Sequence, residues 1–137
     1  MAEAKRRAEA KRGERPLSPH ILIYRFPVTA VASILTRITG NGLIVGVFLA
    51  VWWLLAAAIS PEAFARADGL ATSWFGDLVF TLSAWAVWYH YLSGLRHLYM
   101  DAGHGLDIVT AERLSWGCIV GSVVLTLATL RSSKRLG

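Results

Sequence analysis

The stretch ITGNGLIVGVFLAVWWLLAAAIS, Ile38–Ser60, contains no Asp, Glu, Lys or Arg. At about 1.5 Å of rise per helical residue it is long enough to cross roughly 30 Å of hydrocarbon. Lipid offers no partner for a free backbone N–H or C=O, so such a run is read as a membrane-spanning helix. Val28–Arg37 forms its polar lead-in, and Pro27 suits the first helical position because its φ is already fixed near the helical value. Trp52 and Trp53 fall towards the far end, and Pro61 stops the span. Gly40, Gly42 and Gly46 offer small contacts to neighbouring helices.

The chain repeats this pattern twice. Leu78–Leu95 is again free of Asp, Glu, Lys and Arg and predicts a second span from about 78 to 100. Leu114–Leu130 predicts a shorter third span, with Gly117 and Gly121 on one face. Pro61–Asp77 and Asp101–Arg113 read as connecting loops, the second begun by Gly103 and Gly105 as helix-ending residues. The fold class is therefore all-α, an integral membrane protein with three transmembrane helices, whose spans cover about 28–60, 78–100 and 114–130. Residues 1–26 form a polar tail and pre-helix segment, and 27–137 the membrane unit.

Composition agrees: 55% of the 137 residues are hydrophobic, too many for an ordinary soluble domain of this size. A formal charge of +5 raises nucleic acid as a partner, but eight of the fourteen Lys and Arg residues precede Ile38. A basic flank on a membrane helix is an orientation signal, so a lipid bilayer rather than nucleic acid is the expected partner. It places the N-terminus in the cytoplasm, although Arg131, Lys134 and Arg135 at the other end pull the opposite way. The tail AEAKRRAEAKR is not read as a secretory signal, because the first apolar run begins far too late, and its acids do not suit a mitochondrial transit peptide. Pro16 and Pro19 disfavour a helix before Pro27, and His20, Tyr24 and Phe26 suit the headgroup level. Cys118 stands alone, which rules out an intrachain disulfide; in its apolar run it reads as a packing residue. Three helices leave little room for an independent active site, so the chain is expected to work within a larger assembly.

Within the second span, HYLSGLRHLYMD (His90–Asp101) holds the candidate chemistry. His90, Gly94, His97 and Asp101 recur at i, i+4, i+7 and i+11, which places all four on one helix face. A glycine one turn from a histidine lets a macrocycle or another helix approach the backbone closely. His90 is then either a ligand for a metal or macrocycle, or a histidine packed against a neighbouring helix. Because the first and second spans run in opposite directions, Ser33 and Arg37 lie at a depth similar to Arg96, His97 and Asp101. Arg37 offers a fork of donors to a carbonyl or carboxylate, or anchors the helix by snorkelling to the headgroups.

The segment RPLSPHILIYRFPVTAVASILTRIT resembles the cytochrome b membrane-anchor subunit of succinate dehydrogenase, respiratory complex II. Arg15, Pro16, Ser33, Arg37 and Thr39 match that family's first motif, and His90, Gly94, Arg96, His97 and Asp101 its second. The resemblance implies a bacterial-type, multi-pass subunit of the cytoplasmic (inner) membrane, part of a heteromeric helix bundle. It implies haem b with His90 as one axial iron ligand and the other histidine from a second membrane subunit. It implies a ubiquinone site with Ser33 and Arg37, and Arg37 and His97 near the haem propionates. Asp101 is placed for proton delivery. An iron–sulfur subunit and a flavoprotein subunit would dock outside the membrane, and succinate oxidation would occur in the flavoprotein. One position departs: Thr36 stands where the family has a histidine expected to touch the propionates. Arg96 or Arg37 is then the available replacement donor.

Overall fold

The computed structural model describes Glu3 and residues 25–136. The Arg15–Pro16 pair, His20 and Tyr24 lie outside the described residues, as does nearly all of the tail. From Pro27 onward the chain is helical: α1 (Val28–Ile59), α2 (Pro61–Ala71), α3 (Trp74–Asp101) and α4 (Ile108–Leu136). α1 and α4 are each long and apolar enough to cross a membrane, and α2 with α3 qualify together, bent by 71° at their break. Three spans are compatible with this arrangement. α3 falls short by itself because its Trp, Tyr, His and Ser residues are amphipathic rather than aliphatic.

Local chemistry sets each boundary. Pro27 is the N-cap of α1, with extended backbone (φ −70°, ψ 150°), rather than its first helical residue, so the helix starts one residue later than that reading. Ser60, also extended, closes α1 through its N–H to the Ala56 carbonyl and opens α2. Its Oγ accepts the N–H of Ala63 at 3.1 Å, while Pro61 occupies the first helical position. The 61–77 segment is thus largely helical rather than a loop. The four charges in that region suggested a loop, but the alanines of PEAFARADGLA favour a helix once it is capped at both ends. α2 lies against α1 through the fully buried Ala67 and a Trp53–Phe64 contact with ring centroids 5.5 Å apart. The sharp turn into α3 requires Gly76, where a Cβ would collide with the Ala71 carbonyl.

α3 ends in a Schellman closure. The N–H of Gly103 reaches the Met100 carbonyl at 2.9 Å and that of His104 the Tyr99 carbonyl at 3.2 Å. Gly103 sits at φ +82°, which a residue with a Cβ rarely adopts, and the Tyr99 and His104 rings pack across the turn. Asp107 then caps α4, its carboxylate accepting the N–H of Thr110 at 2.9 Å. That hydrogen bond holds the Asp107 carboxyl below the usual carboxylate range. α4 starts six residues before the span read from the sequence, since Ile108–Arg113 continues the helix outside the apolar run.

The interior is built from small residues. Ala32, Ala56, Ala86, Ala111, Ser93, Ser115 and Ser122 are buried, whereas most large aliphatic side chains of α1 face outward. This is the packing expected where lipid surrounds the helices and close backbone approach, not hydrophobic burial, drives association. Trp85 Nε1 donates to Ser122 Oγ at 3.1 Å and Trp88 Nε1 to Thr129 Oγ1 at 3.0 Å, tying α3 to α4. Cys118 is buried and unbonded to sulfur, as its apolar run suggests.

Candidate functional site

α1 and α3 run antiparallel, with three contacts fixing their register. Tyr89, wholly buried, donates its phenol to the Ala32 carbonyl at 2.8 Å. Thr36 Oγ1 donates to that same carbonyl at 2.9 Å and lies 2.6 Å from Ser93 Oγ. Thr36 has one hydroxyl proton and spends it on Ala32, so Ser93 is the donor in the pair. The third contact sets the His90 imidazole against Gly40. A Cβ at Gly40 would lie 3.1 Å from His90 Cε1 and 3.6 Å from Nδ1.

At the α1 N-terminal end, Thr29 and Ser33 face Arg96, His97, Met100 and Asp101 of α3 and Leu106 of the following loop across a cavity of about 500 Å³. The antiparallel register brings these residues together, as the matched depths of the two motifs led one to expect. Ser33, His97 and Asp101 all line it. Arg37 does not: it is exposed one turn further along α1. Arg96 is the opposite case. Only 8% of it is exposed, and its Nε is buried without a hydrogen-bond partner.

His90, Gly94, His97 and Asp101 are all exposed, so the face they share is open along its length. A Cβ at Gly94 would meet nothing within 4 Å. His90 is therefore not a histidine buried within this chain: one edge of its ring rests on Gly40, and its Nε2 lies farther from that position. Among the described residues no three His, Cys, Asp or Glu side chains are grouped to hold a metal ion. A ligand reaching His90 would come up against a single imidazole from this chain.

Sequence reasoning passed over two residues. Gly40 was read only as a small helix contact, although it lies four residues after Thr36 on the face that meets α3. Arg96 was weighed as a propionate donor, yet at 100° per residue it points about 120° around α3 from His90. It sits on the side carrying Tyr89, Ser93 and Met100, towards α1. Thr36, the departure from the motif, has its hydroxyl engaged by α3 and acts as an interhelical tie.

Residues 11–129 match the family described as the succinate dehydrogenase/fumarate reductase transmembrane subunit. The chain belongs to this family. It is 54% identical over 123 residues to the succinate dehydrogenase cytochrome b556 subunit of Paracoccus denitrificans, covering 90% of this chain and 95% of that one. It is 34% identical to the cytochrome b556 subunit of Rickettsia conorii, over 83% and 89% of the two chains. The mitochondrial cytochrome b560 subunit of Sus scrofa is 37% identical, over 86% and 68%. The helical fold and the membrane-length segments are those of a succinate dehydrogenase transmembrane subunit.

Proposed function

We propose that this chain is the cytochrome b anchor of a bacterial succinate:quinone oxidoreductase, holding haem b together with a second membrane subunit and forming part of a ubiquinone site. The observation that carries it is the open His90 face. An imidazole backed by Gly40 on one side, with Gly94 leaving free space one turn on, fits an axial ligand to a macrocycle held between two chains. The names of the similar cytochrome b subunits support the same assignment. His90 would hold the haem from this chain, with a histidine of the partner subunit as the other ligand. Haem, when bound, provides a one-electron store whose potential depends on its ligands and burial.

The cavity beside that face is the proposed quinone site. Ser33 offers a hydroxyl to a quinone oxygen, and Asp101, exposed at the end of α3, is placed to pass protons from the aqueous phase. Arg37, on the outer side of α1, is available to the quinone headgroup or to a haem propionate, and His97 to a propionate from the α3 side. Quinone reduction places negative charge on oxygen, which donors fixed beforehand stabilise. Iron–sulfur and flavoprotein subunits dock at this end, with the N-terminus cytoplasmic and the complex in the bacterial inner membrane. Dicarboxylate oxidation belongs to the flavoprotein.

The test is a dithionite-reduced minus oxidised spectrum of the complex purified through this chain, with His90→Leu beside it. A low-spin b-type band that the substitution removes or converts to high spin is the expected result. An unchanged low-spin band in His90→Leu excludes His90 as the ligand, and no band in the wild type excludes the haem.

A further inference from the structure

Arg96 is the one feature of the cavity that the fold leaves without an explanation of its own. Its side chain is about nine-tenths buried, and its Nε has no partner. Among the described residues no carboxylate lies within ion-pair distance of it, Asp101 of the same cavity included. A guanidinium cannot shed its proton to escape burial, and one without a counter-charge at the end of a membrane helix is strongly disfavoured unless something else supplies an acceptor. None of the hydroxyls nearby accepts from its Nε: Thr36 and Ser93 bond each other, and Thr36 and Tyr89 the Ala32 carbonyl. What remains open to Arg96 is the cavity it shares with Ser33.

We propose that Arg96 is the cation of the quinone-binding cavity, donating to a carbonyl oxygen of the bound quinone together with Ser33 Oγ. This rests on the quinone-site reading given above and names a residue that reading did not use. The alternative acceptor is a haem propionate, which His97 of the same cavity is placed to meet. Arg96 lies about 120° around α3 from His90 and about 160° from Gly94, on the side that faces α1, whereas the proposed haem face is exposed. The cavity volume of about 500 Å³ suits a ring of one or two fused cycles with its substituents. Conversion of quinone to quinol adds two electrons, supplied by the succinate-oxidising partner subunits, and two protons, one at each oxygen. Arg96 gives up no proton. It binds the oxygen more tightly as charge builds there, and Asp101, opening to the aqueous side, is positioned to relay both protons in turn, reprotonated from water between them.

The experiment uses the assembled complex with Arg96→Gln and Arg96→Lys. Four quantities are read: kcat and KM for a short-chain ubiquinone analogue, succinate oxidation by an artificial dye, the haem spectrum and the haem midpoint potential. Arg96→Gln is expected to lower kcat/KM for the quinone about 10- to 100-fold. Arg96→Lys should recover part of that loss, with dye reduction, haem band and potential at wild-type values in both. Wild-type quinone kinetics in Arg96→Gln overturn the proposal. So does a shifted haem potential with unchanged quinone kinetics, which would assign Arg96 to a propionate. Parallel loss of dye activity and haem in both variants overturns it as well, because Arg96 would then be a structural cation. A wild-type complex that reduces dye but no quinone sinks the underlying quinone-site reading instead.

Discussion

The α1–α3 pair has a cavity at each end, and the two differ in everything except their helices. At the α1 N-terminal end a cavity of about 500 Å³ gathers Ser33, Arg96, His97 and Asp101. At the other end one of about 600 Å³ is enclosed by α1, α2 and α3. Its walls are Leu43, Val47, Trp53, Phe75 and Phe80, with Asp68 among few polar members. The first is lined by two hydroxyls, a guanidinium, an imidazole and a carboxylate; the second is mostly aromatic and aliphatic. The polar members of the second are Asp68, Thr72 and Ser83, whereas the first holds a buried arginine whose Nε has no acceptor among the described residues. The polar cavity forms where the last turns of α3 bring Arg96, His97 and Asp101 against the start of α1.

One substitution made at both ends breaks this comparison most clearly. Gly40→Ala forces a Cβ against the His90 ring, which must shift by tenths of an ångström; Gly46→Ala meets only Ser83 Oγ at 3.8 Å. The first should leave stability within about 1 kcal/mol of wild type, the gain of alanine over glycine in a helix offsetting the displaced ring, and change the low-spin haem signal in an electron paramagnetic resonance spectrum. The second should leave both at wild-type values or stabilise the helix slightly. Equal signals from the two variants would show that Gly40 does not position His90.

Thr36→Val has a smaller expected effect. It removes the bond to Ser93 and leaves a buried hydroxyl to find another acceptor, a loss of about 1 kcal/mol. Thermal unfolding of the detergent-solubilised complex measures it, and Ser93→Ala in the same background should add little because the pair is already broken.

The smallest effect lies outside the membrane. The Asp107 carboxyl is held below its ordinary range by the Thr110 N–H, so the ionised form stabilises the start of α4. A folded-state value below the unfolded one means this contribution is present above the unfolded value, near pH 4. It is lost as pH falls through the folded one. Asp107→Ala should remove that acid dependence, seen as amide protection at Ala111 and Thr110, taken relative to intrinsic exchange at each pH, that is lower and no longer falls with acid.

Much of this architecture was legible in the chain. Charge-free runs marked the spans, Pro27 and Pro61 the ends of α1, Gly103 the close of α3, and two motifs the elements that carry the chemistry. α2 was hidden because charges were weighed above helix propensity and capping. Arg37 and Arg96 could not be ranked from spacing, since both are arginines at matching depth on facing helices.

By itself the sequence determined that the chain is helical, spans a membrane and carries His90, Gly94, His97 and Asp101 along one stripe. Helical periodicity and hydrocarbon thickness permit nothing else. Tertiary structure alone decided which face of α3 meets α1. That choice buried Arg96, left Arg37 exposed, set His90 on Gly40 and turned Thr36 into a tie to Ser93. The periodicity of one helix orders its residues around an axis, but only a neighbour packed through small residues says which of them point inward.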